Sequence, residues 1–144
     1  MRTCWVFDHP AHVRLLAPFL RAGTASDIII ATDRHEVRQL MESSEGVLPR
    51  RQTVWVERPV GKGRFQTAWK RMRIVRQELR NAAKSGHRFE RIIAVGAPLE
   101  LRVAKKLGIP KRWYISDTEV NHLAHKLAKN AATDAIFPTH WDES

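Results

Sequence analysis

Cys4-Trp5-Val6-Phe7-Asp8-His9-Pro10-Ala11-His12-Val13 reads as an apolar strand running directly into a helix. Four apolar residues come first, and an acid, two histidines and a proline stand at the handover. In an open α/β sheet, ligands bind outside the carboxyl ends of the strands. This short run therefore marks both the start of a fold and a candidate site.

The same alternation recurs along the chain. A helix from about Ala11 to Arg21 carries Val13, Leu15, Leu16, Phe19 and Leu20, with Gly23 as its stop. Ile28-Ile29-Ile30-Ala31 is a second strand, after which Thr32 or Asp33 caps a helix through Val37, Leu40 and Met41. Thr53–Val56 is a third strand, and the loop Glu57–Gly63 follows it. A long helix runs from about Arg64 to Ser85, with Phe65, Trp69, Met72, Val75, Leu79 and Ala83 spaced as one buried stripe requires. Gly86 ends it.

Arg91–Val95 is a fourth strand, and Gly96-Ala97-Pro98 opens a helix closed by Gly108. Arg112–Ile115, a helix capped by Ser116-Asp117-Thr118, and a strand over Ala135-Ile136-Phe137 complete the series. Alternating strands and helices imply parallel βαβ units with right-handed crossovers. The expected fold is α/β: a single Rossmann-like, doubly wound domain over residues 1–144. It has about six parallel strands and helices on both faces, since runs such as Ile28-Ile29-Ile30 suit a sheet covered twice.

The lone cysteine, Cys4, excludes an intramolecular disulfide and reads as a buried structural thiol within the first strand. No leader is visible and no apolar run approaches the roughly 18–20 residues that span a bilayer, so a cytoplasmic protein is expected. The net charge of +10 is concentrated. Residues 50–91 hold 13 Lys/Arg against three acids, and the other 12 basic and 12 acidic residues cancel. Such a segment attracts polyanions.

Polar clusters at strand ends converge in this fold: Asp8-His9-Pro10-Ala11-His12, Thr32-Asp33-Arg34, Gly61-Lys62-Gly63, Gly96-Ala97-Pro98 and Ser116-Asp117-Thr118-Glu119. Helix-start N–H groups there are suited to an anion such as phosphate. Asp8 is placed to orient a histidine acting as general base near neutral pH. The alternative is that Asp8 and His12 simply cap the first helix. The first turn lacks G-x-G-x-x-G, and Gly61-Lys62-Gly63 is too short for a Walker A loop. No cofactor is expected. Glu119, His122 and His125 share a helix face, with His140 beyond, but no matching carboxylate or cysteine set accompanies them, and no metal is expected.

The basic segment has two readings. One is a solvated face whose long side chains cover apolar stems. The other is peripheral attachment to an anionic membrane through Phe65, Trp69 and the surrounding cations. No helix-turn-helix, RRM or KH signature is visible, so nucleic acid is not the expected partner.

In order and spacing, Phe7-Asp8-His9-Pro10-Ala11-His12-Val13, Thr32-Asp33-Arg34, Gly61-Lys62-Gly63, Gly96-Ala97-Pro98-Leu99-Glu100, Gly108-Ile109-Pro110 and Asp117-Thr118-Glu119 resemble the DUF354 family. Its members are similar to GT-B glycosyltransferases and UDP-N-acetylglucosamine 2-epimerases. The resemblance implies the N-terminal, acceptor-side domain, taking a sugar-phosphate or lipid-phosphate ligand. A C-terminal nucleotide-sugar domain, absent from 1–144, is then expected in cis, or in trans as a partner chain; a homo-oligomer is the other arrangement. On this reading His12 or His9 is the base, Asp8 orients it, Arg34 and Lys62 offset phosphate charge, and Gly96, Asp117, Thr118 and Glu119 line the cleft. A non-catalytic module recruited to anionic surfaces, membrane or nucleic acid, by residues 50–91 is the competing expectation.

Overall fold

The computed structural model describes residues 2–8, 10–21, 26–43, 52–57, 64–95, 97–116 and 122–136. Six strands, β1 (Thr3–Phe7), β2 (Ile28–Thr32), β3 (Gln52–Val56), β4 (Arg91–Val95), β5 (Lys111–Ile115) and β6 (Asp134–Ile136), alternate with five helices. These are α1 (Pro10–Arg21), α2 (His35–Ser43), α3 (Arg64–Lys84), α4 (Pro98–Lys106) and α5 (His122–Ala131). The strands form one all-parallel sheet in the order β3-β2-β1-β4-β5-β6. This is the doubly wound Rossmann-like order. The expected helix stop at Gly23, the loop glycines Gly61 and Gly63, and Phe137 lie outside the described residues.

Parallel strands demand crossovers, and their hand fixes which face each helix covers. Moving outward from β1 to β3 puts α1 and α2 on one face. There Leu16, Leu20 and Val37 pack on Trp5, Phe7, Ile29, Ala31, Ile93 and Val95. Returning across the sheet puts α3, α4 and α5 on the other face, over Cys4, Val6, Ile28, Ile30, Ile92 and Ala94. Successive strand residues point to opposite faces, so Cys4 and Val6 serve one core while Trp5 and Phe7 serve the other. Cys4 is buried, and burial pushes its thiol well above its usual range, as a structural cysteine requires.

Two glycines terminate helices as the sequence implies. Gly86 (φ +81°) and Gly108 (φ +80°) sit in the left-handed region. In each case paired backbone bonds close the end: Gly86 N–H to Ala83 and His87 N–H to Ala82, Gly108 N–H to Lys105 and Ile109 N–H to Ala104. This is the Schellman arrangement. A methyl at Gly108 would also meet Arg88 Nη2 at 3.2 Å.

The buried stripe of α3 differs from the expected one. Met72, Val75, Leu79 and Ala82 are inside, Ala83 is exposed, and Trp69 is 60% exposed. The side chain of Phe65 lies outside the described residues. The reason is length. A 21-residue helix extends about 31 Å, whereas a five-residue strand covers about 16 Å. The C-terminal part of α3 is tied by its glycine turn to the start of β4, so its first two turns overhang the carboxyl edge of the sheet. Trp69 also faces outward, about 60° from Met72 on the side away from Val75 and Leu79. Leu79→Ala should therefore lower stability by about 2–5 kcal/mol. Trp69→Ala should stay within about 0.5 kcal/mol, as surface changes do. Urea unfolding of both variants checks this.

Candidate functional site

The strand order reverses between β1 and β4, where the following helices leave toward opposite faces. Asp8, one residue beyond β1, stands at this switch point. Its carboxylate meets a guanidinium fork: Arg34 Nε donates to Oδ1 at 3.1 Å and Nη2 to Oδ2 at 3.4 Å. Arg34 is there because β2 ends at Thr32 and α2 starts only at His35. Asp33, expected as a cap of that helix, instead pairs with Arg38, whose Nη2 lies 3.0 Å from its Oδ2. The Arg38 hydrogen bond holds the Asp33 carboxyl below its usual range.

A second arginine enters from the overhang of α3. Arg71 Nε donates to Glu100 Oε1 at 2.9 Å and Nη1 to Thr32 Oγ1 at 3.3 Å. Its Nη1 also lies 3.9 Å from Asp8 Oδ1. Arg71 and Glu100 are buried, at 6% and 1% exposure. Burial disfavours the Arg71 charge, but Glu100, by charge and hydrogen bond, and then Asp8 raise its pKa. Asp8 follows the same logic with opposite sign. Burial pushes its carboxyl up, yet hydrogen bonds and charge from Arg34, Arg71 and Thr32 outweigh that and hold it below the usual carboxylate range. Asp8 is thus an ionised acceptor at the switch point and cannot donate a proton at neutral pH.

His12 occupies the first turn of α1, after Pro10 at its start. It is buried, and its Nδ1 accepts the Asp8 backbone N–H at 3.2 Å. The expected orienting contact from the Asp8 carboxylate is replaced by this backbone contact, because the carboxylate is committed to Arg34. With Nδ1 accepting, neutral His12 carries its proton on Nε2. His12 closes the turn between β1 and α1, as a capping residue does. Base action at this ring requires release of the Asp8 N–H or a change of tautomer.

The structure therefore brings Asp8, His12 and Arg34 together. His9, Lys62, Gly96, Asp117, Thr118 and Glu119 lie outside the described residues. Glu119, His140 and the side chains of His122 and His125 do as well, and among the described residues no group of His, Cys, Asp or Glu is arranged to hold a metal. Among the described residues no helix is long and apolar enough to cross a membrane.

Arg71 and Glu100 are the site residues that sequence reasoning misses. Arg71 reads as one more cation of a basic helix, and Glu100 as an ordinary acid in a first helical turn. The signal was present in the helical period. Arg71 directly precedes the buried Met72 and so lies only about 100° around the helix from it. An acid in the first turn after β4 is held near the same edge.

The fold and site define a doubly wound, Rossmann-like α/β protein with a two-arginine, two-carboxylate network at its switch point. No protein-family model matches the chain, and no curated protein matches it.

Removing one partner of the buried pair leaves a charge uncompensated. Glu100→Met or Arg71→Met alone should cost about 3–5 kcal/mol, and the double variant should recover most of that. Denaturant midpoints of the three variants decide it. Asp8 gives a pH signature. Its folded pKa lies below the unfolded value of about 3.9, so its stabilisation is complete above that pH and disappears as pH falls through the folded pKa. The stability gap between wild type and Asp8→Asn should stay constant from neutral pH down to about 5 and close below about 4.

Proposed function

We propose that the chain is the acceptor-side domain of a GT-B-like sugar transferase or epimerase-like protein. In this reading its switch-point crevice takes a phosphate-bearing acceptor. The observation that carries the reading is the placement of Arg34 and Arg71 around Asp8 at the carboxyl ends of β1 and β2. Arginine forks match phosphate and carboxylate geometry. Among the described residues, Arg34 Nη1 and Arg71 Nη2 carry no hydrogen bond, so donors remain for a ligand.

Energetics support the same reading. A buried ion pair such as Arg71–Glu100 seldom contributes net stability over a well-packed apolar pair. Its presence suits a role in holding Arg71 charged and fixed beneath the crevice. Asp8 holds the Arg34 fork until a ligand anion takes it, and it then remains beside Arg71. The motif resemblance supplies the transferase or epimerase class, and with it the expectation that a nucleotide-sugar is held by a second domain.

Amide chemical shifts recorded during titration with a short-chain isoprenyl phosphate test the proposal. Asp8, Thr32 and Arg34 should move, and Arg34→Ala should weaken binding by about tenfold or more, the loss expected for a charged hydrogen bond. UDP-N-acetylglucosamine should leave these amides in place. Absence of shifts with the phosphate, or binding of the nucleotide-sugar here in its stead, overturns the assignment.

A further inference from the structure

The outer face of α3 is separate from the crevice. Five cations, Lys70, Arg73, Arg76, Arg80 and Lys84, follow one another at steps of three and four residues. They line one surface groove. At 100° per residue they and Trp69 fall within a sector of about 120°, facing away from the Met72–Val75–Leu79–Ala82 core stripe. Glu78 projects to the other side of the helix on the same wheel, and among the described residues Lys70 alone has an acid nearby, Glu57 at 3.8 Å. Among the described residues no other ion pair neutralises the stripe. From Trp69 to Lys84 it extends about 22 Å.

The structure discriminates between the polyanions that such a stripe attracts. A helix lying on a membrane needs an apolar face to bury in the lipid. The apolar face of α3 is consumed by the core. The other large apolar residues exposed among the described side chains, Phe19 and Ile136, lie on α1 and β6. Among the described side chains, what remains is a narrow line of guanidinium and ammonium groups with one exposed aromatic ring at its end. That combination matches a single-stranded nucleic acid, whose backbone follows a cationic track and whose bases stack on aromatic rings.

We propose that the outer face of α3 binds single-stranded RNA or DNA, with Arg73, Arg76, Arg80 and Lys84 on successive phosphates and Trp69 under a base. The absence of a helix-turn-helix, RRM or KH motif does not weigh against this, because backbone tracking needs no base-reading module. Binding is sequence-tolerant and salt-dependent.

Fluorescence anisotropy with labelled oligo-U and oligo-dT of about 12 nucleotides tests it. Four or five phosphate contacts predict a slope of log K against log salt near −3, hence roughly 50-fold weaker binding at 200 mM than at 50 mM salt. Arg73→Glu/Arg76→Glu/Arg80→Glu should weaken binding by at least 30-fold and flatten the slope. Trp69→Ala should weaken binding about fivefold or more with the slope unchanged. Arg102→Glu/Lys106→Glu/Lys111→Glu, an equal charge change at other exposed positions, should weaken it far less. The variants alter exposed or half-exposed side chains, and their melting temperatures establish that they fold. An equal loss in the two triple variants reduces the effect to net charge and overturns the site. Tighter binding of a duplex, or of vesicles containing phosphatidylserine, through the same three arginines overturns the single-strand assignment.

Discussion

The hand of the parallel crossover governs this molecule. Because β1 lies between β2 and β4, the chain must leave it toward one face and return to β4 across the other. Open α/β sheets bind their ligands at such a divergence, and Asp8 is the first residue past β1. Every charged group described at the site arrives through this constraint: Arg34 from the end of β2, Glu100 from the first turn of α4, Arg71 from the overhang of α3. None of them is near another in sequence except through the sheet.

Electrostatics then decides what the crevice is. Among the described residues, two guanidiniums and two carboxylates balance in charge. Asp8 stays ionised because two arginines outweigh its partial burial. Arg71 stays charged because Glu100 is buried beside it. This pairing gives the switch point fixed donors and a fixed acceptor. The His12 ring is drawn into the turn by the Asp8 backbone.

The overhang of α3 links the two surfaces. Its inward side places Arg71 beneath the crevice, while its outward side carries Trp69 and the start of the cationic stripe. One helix, longer than the strands it covers, thus serves a buried ion pair and an exposed polyelectrolyte track. The positive charge that composition assigns to residues 50–91 is therefore divided, with Arg71 neutralised inside and the stripe facing solvent.

The alternation of apolar runs with three-and-four periodicity determined the fold class, and the strands from Thr3 to Ile136 fall within a residue or two of their expected limits. Local chemistry sufficed there: apolar strands, helix stops at Gly86 and Gly108, and Pro98 at a helix start are legible one segment at a time. Asp8, His12 and Arg34 were likewise legible as residues of a strand-end cluster. The pairing was not. That Asp8 takes Arg34 and leaves His12 to its backbone, that Trp69 is outside and Arg71 inside, and that Glu100 completes the network follow from contacts between segments as far apart in sequence as Asp8 and Arg71. Periodicity reports which face of an element is apolar. Only the tertiary arrangement decides how far that element extends past its neighbours, and hence which polar side chain is forced to find a partner.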